Sequence, residues 1–374
     1  MAQPLENLSR LLIVLPSWVG DSVMATPMLR AVRAAAPGVH IAGLCRPGID
    51  EVLAGSDFFN LFHVERLKGA GGVLGAAGRL AEHRFDAALI LPNSFSSALA
   101  MRLARIPRRI GYDRDGRHRL LTDRLRALKR RDLEPFSRSA FAPGDWAPVP
   151  ATSYYFALGS FLLKMLGKEA GEPGPLELSV SADQQSTARG LLRGAGVLGE
   201  GKDAAPPPLA MLCPGGNRDE KRWPIERFAA VAEHLVRRRG LSVLISGSPG
   251  EAALTASVRA AAAPEARDRV IDLVAAGESK LSLGALKGVI RACRLLITND
   301  TGPRHIAAAL GVPVISLFGP TDPRWTTIPF ARERVIVADP TLPPEEVADD
   351  HPERCRIDRI SVDQVVSAID AVVG

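Results

Sequence analysis

What most constrains this chain is one rhythm that occurs twice. Short apolar runs, RLLIVL at 10–15, HIAGLC at 40–45 and DAALIL at 86–91, alternate with amphipathic stretches such as SVMATPMLRAVRAA at 22–35 and SSALAMRLA at 96–104. The runs are too short for buried helices, and the stretches between them carry apolar residues at helical spacing. Parallel strands need long crossovers, so this alternation predicts a parallel sheet covered by helices. The rhythm resumes at PLAMLC, 208–213. It continues through the helix-like WPIERFAAVAEHLVRRR, 223–239, and the runs LSVLIS, RVIDL, CRLLIT and VPVISLF, ending at 318. Two Rossmann-like units facing each other across a cleft are therefore expected, and 374 residues are enough for two hydrophobic cores.

Between them lie TSYYFALGSFLLKMLG at 152–167 and a Gly-, Pro- and Ser-rich segment at about 168–207, which holds a charged helix near Gln184 to Leu192. The hinge falls in that segment, giving expected domains of 1–180 and 181–374. The final stretch, SVDQVVSAIDAVV at 361–373, is amphipathic, and a return across the cleft onto the first lobe would bury its apolar face.

Composition excludes several classes. With 46% hydrophobic and 24% charged residues the chain is neither low-complexity nor disordered. No apolar stretch is long enough to span a bilayer and no signal peptide opens the sequence, so a cytoplasmic location is expected. Cys45, Cys213, Cys293 and Cys355 are far apart, most of them beside apolar runs, and read as buried free thiols. The net charge of +6 favours an acidic partner, and the basic residues crowd the region from Arg102 to Arg131, opposed only by Asp113, Asp115 and Asp123.

In open parallel sheets ligands sit beyond the carboxyl ends of the strands, so the residues after each apolar run are the informative ones. In PSWVGDSVMATP, 16–27, Gly20 permits a turn and Asp21 stands at the head of a helix. There it either caps that helix or takes a proton from an attacking hydroxyl. In PGGNRDEKRWP, 214–224, Gly215 and Gly216 allow close backbone approach and Lys221 can set a point charge on a phosphate; a plain polar loop is the alternative. In SGSPGE, 246–251, Glu251 either accepts from ribose hydroxyls or is a favourable first-turn acid. The most specific segment is TNDTGPRHIAAALGVPVISLFGPTDP, 298–323. A strand ends at Asn299 and Asp300, a helix opens around Thr301, Gly302 and Pro303, and such an N-terminus suits a diphosphate. His305 lies in its first turn, either reaching the same anion or lying on the surface.

At PSWVGD, KRWP, NDTG followed by HIAAALGVPVI, and FGPTDP, in that order, the sequence resembles glycosyltransferase family 9 and, within it, the lipopolysaccharide heptosyltransferases. The resemblance spans most of residues 11–328. It implies an inverting, metal-independent GT-B enzyme with no cofactor, whose N-terminal lobe holds a phosphorylated lipid-linked core oligosaccharide and whose C-terminal lobe holds ADP-heptose. It implies Asp21 as general base and Lys221 as support for the diphosphate. Glu251 would hold the ribose; Gly215, Gly216, Asn217, Asp300, Thr301, Gly302 and His305 would surround donor sugar and phosphates. The Arg-rich region matches the family's equivalent segment and would suit a phosphorylated core, with peripheral contact to the inner membrane. Residues 215–219 and Pro303-Arg304 depart from the family's usual hydroxyl and small or apolar residues.

Other readings account for less. Another GT-B activity, such as nucleotide-sugar epimerisation, or a non-catalytic relative would share the fold. A Rossmann oxidoreductase needs GxGxxG directly after a strand, and GAGGVLGAAG at 69–78 does not supply it. Nucleic acid is not the expected partner, because aromatic residues are only 5% and are not interleaved with the arginines. Asp113-Arg114-Asp115 resembles a metal-binding DxD but lies in the Arg-dense region, and reads as a solvated loop.

Overall fold

A computed structural model of the chain describes residues 4–5, 7–134, 136, 146–199, 205–276 and 281–373. It divides into two compact units, one running to Leu178 and including Arg324–Ile328, the other comprising Ser179–Pro323 and the residues from Pro329 onward. Of the Gly- and Pro-rich segment given to the hinge, residues 200–204 lie outside the described residues.

The first unit is built on strands β1 (Arg10–Val14), β2 (His40–Cys45), β3 (Leu61–Val64), β4 (Ala87–Ile90), β5 (Arg108–Asp113) and β6 (Asp123–Arg126). They form one sheet in the order β3-β2-β1-β4-β5-β6, every pair parallel. Leu11, Leu12 and Ile13 are buried, as are Ala87 to Ile90. A strand covered on both faces needs apolar residues at successive positions, hence the unbroken runs. The helical stretch expected at 22–35 is two helices, Val19–Met24 and Thr26–Ala35, with Pro27 in the first turn of the second. That second helix packs closely on Ala151–Met165, where a Cβ on Gly159 would overlap Met28. GAGGVLGAAG lies in the helix Gly69–Ala81, so its glycines form no phosphate loop.

The second unit repeats the design with β7 (Leu209–Cys213), β8 (Ser242–Ile245), β9 (Val270–Asp272), β10 (Leu295–Asn299), β11 (Val314–Phe318) and β12 (Glu333–Val337). The order is β12-β11-β10-β7-β8-β9, again all parallel. Numbered within each unit, both sheets run 3-2-1-4-5-6, the doubly wound order of a GT-B-like fold. The last helix, Val362–Val373, buries Val365 and Ile369 in this unit's own core, and its Asp370 pairs with His234 at 3.0 Å and Arg239 at 2.6 Å. The apolar face expected to return onto the first lobe is thus covered within the second unit. All four cysteines are buried and unpaired, and among the described residues no helix is long and apolar enough to cross a membrane.

Candidate active site

In a 3-2-1-4-5-6 sheet the crossovers after the first and fourth strands leave to opposite sides, opening a crevice between those two strand ends. In the second unit they are β7 and β10, and the segments that follow them, PGGNRDEKRWP and DTGPRH, are those singled out in the sequence. Asn299, the buried last residue of β10, bridges the opening: its Nδ2 donates to the carbonyls of Pro214 at 2.8 Å and Gly215 at 3.0 Å, and its Oδ1 accepts from the Trp223 amide at 3.3 Å. Trp223 is itself 1% exposed and donates from its indole to the Ile360 carbonyl at 2.9 Å. The loop carrying Lys221 is therefore anchored two residues downstream by a buried indole, a group whose truncation typically costs about 3–5 kcal/mol.

From this anchored loop Lys221 Nζ reaches Asp300 Oδ2 at 3.8 Å. Asp300 Oδ1 faces Arg304 at 3.5 Å, one helical turn away. Arg304 is buried: Nε lies 2.6 Å from Glu333 Oε1 on the neighbouring β12, with Ser316 Oγ 3.2 Å away and the Phe318 ring 4.8 Å from the guanidinium carbon. The departure from family residues at 304 is thus absorbed in the interior as an ion pair. Thr301 occupies the cap position of the helix Gly302–Ala309 but does not cap with its side chain; its hydroxyl meets Thr298 Oγ1 at 2.9 Å. The first-turn amides are consequently not covered by that hydroxyl, the arrangement that binds anions.

Glu251 joins this group. Its Oε1 accepts from the Gly216 amide at 3.1 Å and its Oε2 from the amide and hydroxyl of Ser248, each at 2.8 Å. It is a capping residue, and it fits only because position 215 is glycine: a Cβ there would collide with the carboxylate. Arg222, which the sequence did not single out, grips the Gly216 carbonyl at 3.1 and 2.8 Å and fixes the same turn. Asn217 is exposed at the tip of the loop. His305 is no surface residue: it is 3% exposed, its Nδ1 has no hydrogen-bond partner, and burial followed by the Arg304 charge holds its pKa well below the usual value. It is uncharged at neutral pH and adds no positive charge for an anion.

Asp21 belongs to the first unit and the other candidates to the second. It follows β1, again at the crevice between first and fourth strands, as the third residue of the helix Val19–Met24. The cap position is Trp18, so Asp21 is not the N-cap. Tyr155 donates its hydroxyl to Asp21 Oδ1 at 3.2 Å, and burial, then the neighbouring carboxylate, raises the phenol's pKa and keeps it a donor. Across the crevice Asn93, after β4, accepts from Tyr154 Oη at 3.1 Å and from buried Arg117 at 3.0 Å. Tyr154 stacks on Tyr112 at 3.8 Å. No sequence signal marked these partners, because Tyr155 sits in an apolar helix and Asn93 in an ordinary turn. Of the DxD-like triplet, Asp113 and Asp115 are exposed but Arg114 is half-buried.

Residues 74–141 and 153–354 match the sequence profile of glycosyltransferase family 9 (heptosyltransferase). The chain is 30% identical over 337 residues, 87% of each chain, to lipopolysaccharide heptosyltransferase 2 of Salmonella typhimurium. Among solved structures it superposes on ADP-heptose LPS heptosyltransferase II of E. coli with a TM-score of 0.73 and 26% identity, covering 97% of this chain and 98% of that one. It also superposes on the E. coli heptosyltransferase WaaC with ADP-2-deoxy-2-fluoro heptose, at a TM-score of 0.66 and 20% identity, covering 97% and 99%.

Proposed function

Because the chain belongs to glycosyltransferase family 9, we propose that it transfers L-glycero-D-manno-heptose from ADP-heptose to the inner core of lipopolysaccharide, inverting the anomeric configuration without a metal ion. The observation that carries this reading is the second unit's crevice, where Lys221, paired with Asp300, lies beside the start of the helix Gly302–Ala309, which has no side-chain cap from Thr301. The donor is supported by the ADP-heptose named for the E. coli relative and the ADP-heptose analogue named for WaaC.

In this reading the first unit binds the acceptor and the second the donor. An acceptor hydroxyl attacks the anomeric carbon from the face opposite ADP, a new C–O bond forms, and the bond to the β-phosphate oxygen breaks. Asp21 takes the hydroxyl proton, and Tyr155 orients it by donating to its Oδ1. Charge developing on the departing diphosphate is met by Lys221 and by the amides around Gly302, while the turn of Gly215, Gly216 and Asn217 seats Glu251 next to the donor. Glu251, with lone pairs beyond those used by Gly216 and Ser248, accepts from the ribose. Asp300, Thr301 and neutral His305 flank the sugar and phosphates, and Asp300 also orients Lys221. Catalysis then rests on positioning and fixed charge. The basic surface favours peripheral contact with the anionic cytoplasmic face of the inner membrane.

The test is transfer from ADP-heptose to a Kdo-lipid A acceptor already carrying one heptose, in the presence of a chelator, with the new anomeric centre assigned by NMR. Chelator-resistant transfer with inversion is expected. Retention, a strict metal requirement, or preference for another nucleotide sugar would overturn the corresponding part.

A further inference from the structure

In the second unit's crevice Lys221 already has an acid beside it. Its ammonium faces Asp300 Oδ2 at 3.8 Å, and the two side chains are only 13% and 10% exposed. A carboxylate and an incoming diphosphate therefore compete for one cation. How much of that charge is left for the donor depends on what else holds Asp300. Arg304 holds it: four residues further on, its Nη1 lies 3.5 Å from Asp300 Oδ1, the other carboxylate oxygen. The remaining guanidinium nitrogens are committed to Glu333, Nε to Oε1 at 2.6 Å and Nη2 to Oε2 at 3.2 Å, and Ser316 Oγ donates to the same Oε1 at 2.6 Å. Such a two-point pair holds a guanidinium in one place.

Glu333, Arg304, Asp300 and Lys221 thus form a row of alternating charge that sums to zero. Arg304 is 1% and Glu333 5% exposed, so solvent screens the inner links little and a change at one end is felt at the other. The pair with Glu333 is electrically complete by itself, and an ion pair that only filled the interior would need no second acid. Nor does the family resemblance assign this arginine, since position 304 is one of those that depart from it. We propose that Arg304 is a positioning residue for the donor: by drawing on one oxygen of Asp300 it keeps that carboxylate from closing on Lys221, and so leaves the ammonium for the diphosphate. Glu333 tempers the pull by sharing the guanidinium. The proposal rests on the reading that the second unit's crevice binds ADP-heptose through Lys221.

The two ends of the row then act with opposite signs. Without the Arg304 charge, Asp300 turns to Lys221 and donor binding weakens. Without the Glu333 charge, Arg304 leans more on Asp300, Lys221 is released further and binding tightens. A role in folding alone does not produce that reversal.

The experiment is calorimetric titration of the full-length protein with ADP at constant ionic strength. Arg304→Met should weaken binding about tenfold, and Arg304→Lys, which keeps the charge, should restore most of that loss; Glu333→Gln should tighten binding about fivefold. On a Lys221→Met background, itself weakened, both effects should shrink to within about twofold, because the cation they act through is gone. Arg304→Met leaves Glu333 buried and unpaired, so if that variant does not fold, Glu333→Gln, which keeps the side chain's shape, decides alone.

Unchanged or weaker binding in Glu333→Gln, a folded Arg304→Met within about twofold of wild type, or effects that persist undiminished without Lys221 would each overturn the positioning role. A wild type that binds no ADP, or a Lys221→Met variant that binds it as well as wild type, contradicts the donor reading itself and the proposal with it. Binding that needs Lys221 but ignores Arg304 and Glu333 leaves that reading standing and removes the proposal alone.

Discussion

The two units solve one topological problem with different chemistry. Each opens a crevice between the first and fourth strands of a 3-2-1-4-5-6 sheet, and each sets an asparagine after the fourth strand or at its end. In the second unit Asn299 is buried and clamps backbone to backbone, and Asp300, Arg304, Ser316 and Glu333 form a charged network behind the helix terminus. In the first unit Asn93 is held by side chains, Tyr154 and Arg117, and the carboxylate that matters, Asp21, by a tyrosine hydroxyl at the wall of an aromatic cavity. Under the proposed function the difference fits two tasks: a leaving diphosphate would be served by fixed charges and amides, and a proton acceptor by one oriented oxygen with room for a sugar.

That contrast can be broken by substitution, beginning where the effect is largest. Asp21→Asn should lower kcat about 10²- to 10⁴-fold, the usual range for removing a positioned base, with donor affinity retained. Steady-state rates beside calorimetric ADP-heptose binding check it, and parallel loss of both would make Asp21 structural. Arg304→Met should destabilise the second unit by about 3–5 kcal/mol, since it leaves Glu333 as an uncompensated charge only 5% exposed. Denaturant unfolding measures this, and a loss under about 1 kcal/mol would show the network to be relaxed rather than rigid.

Lys221→Met should lower kcat by about 10²- to 10³-fold through lost stabilisation of the diphosphate, without the destabilisation expected for Arg304→Met. The smallest effect is on pH. His305 has its folded pKa depressed by burial and then by Arg304, so the unfolded state binds the proton first as pH falls. Stability is full above the ordinary histidine value near 6.5 and declines as pH drops below it toward the lowered folded value. His305→Gln should flatten that decline in a pH series of thermal melts, and an unchanged slope would assign it to other groups such as His63, whose pKa is also lowered by burial.

How much of this was legible follows from what each residue touches. The strands with continuous apolar runs, such as β1, β4, β7 and β10, announce themselves because both faces are buried. Edge strands β3, β6 and β12 carry half-buried or charged residues and so show no run, and β5 opens with two arginines that make structural hydrogen bonds. The turns after β7 and β10 were readable because glycine, proline and asparagine have strong backbone preferences. Asp21 was readable as a choice between cap and base, and only its place inside the first turn removes the cap.

Long-range partners were not readable. Nothing near position 155 or 333 in sequence points to 21 or 304, and His305 read as a surface residue or an anion ligand because a first-turn histidine carries no mark of burial. The passage of 324–328 into the first unit has no compositional sign either, since a five-residue stretch of Arg, Trp, two Thr and Ile carries no periodicity that assigns it to either unit.

The central claim is that transfer requires an acceptor and Asp21. The most direct measurement is ADP release from ADP-heptose with and without a Kdo-lipid A acceptor bearing one heptose, for the wild type and Asp21→Asn. Release that depends on the acceptor and nearly vanishes in the variant is the predicted result. Equal release without acceptor, or undiminished release from Asp21→Asn, would contradict the account.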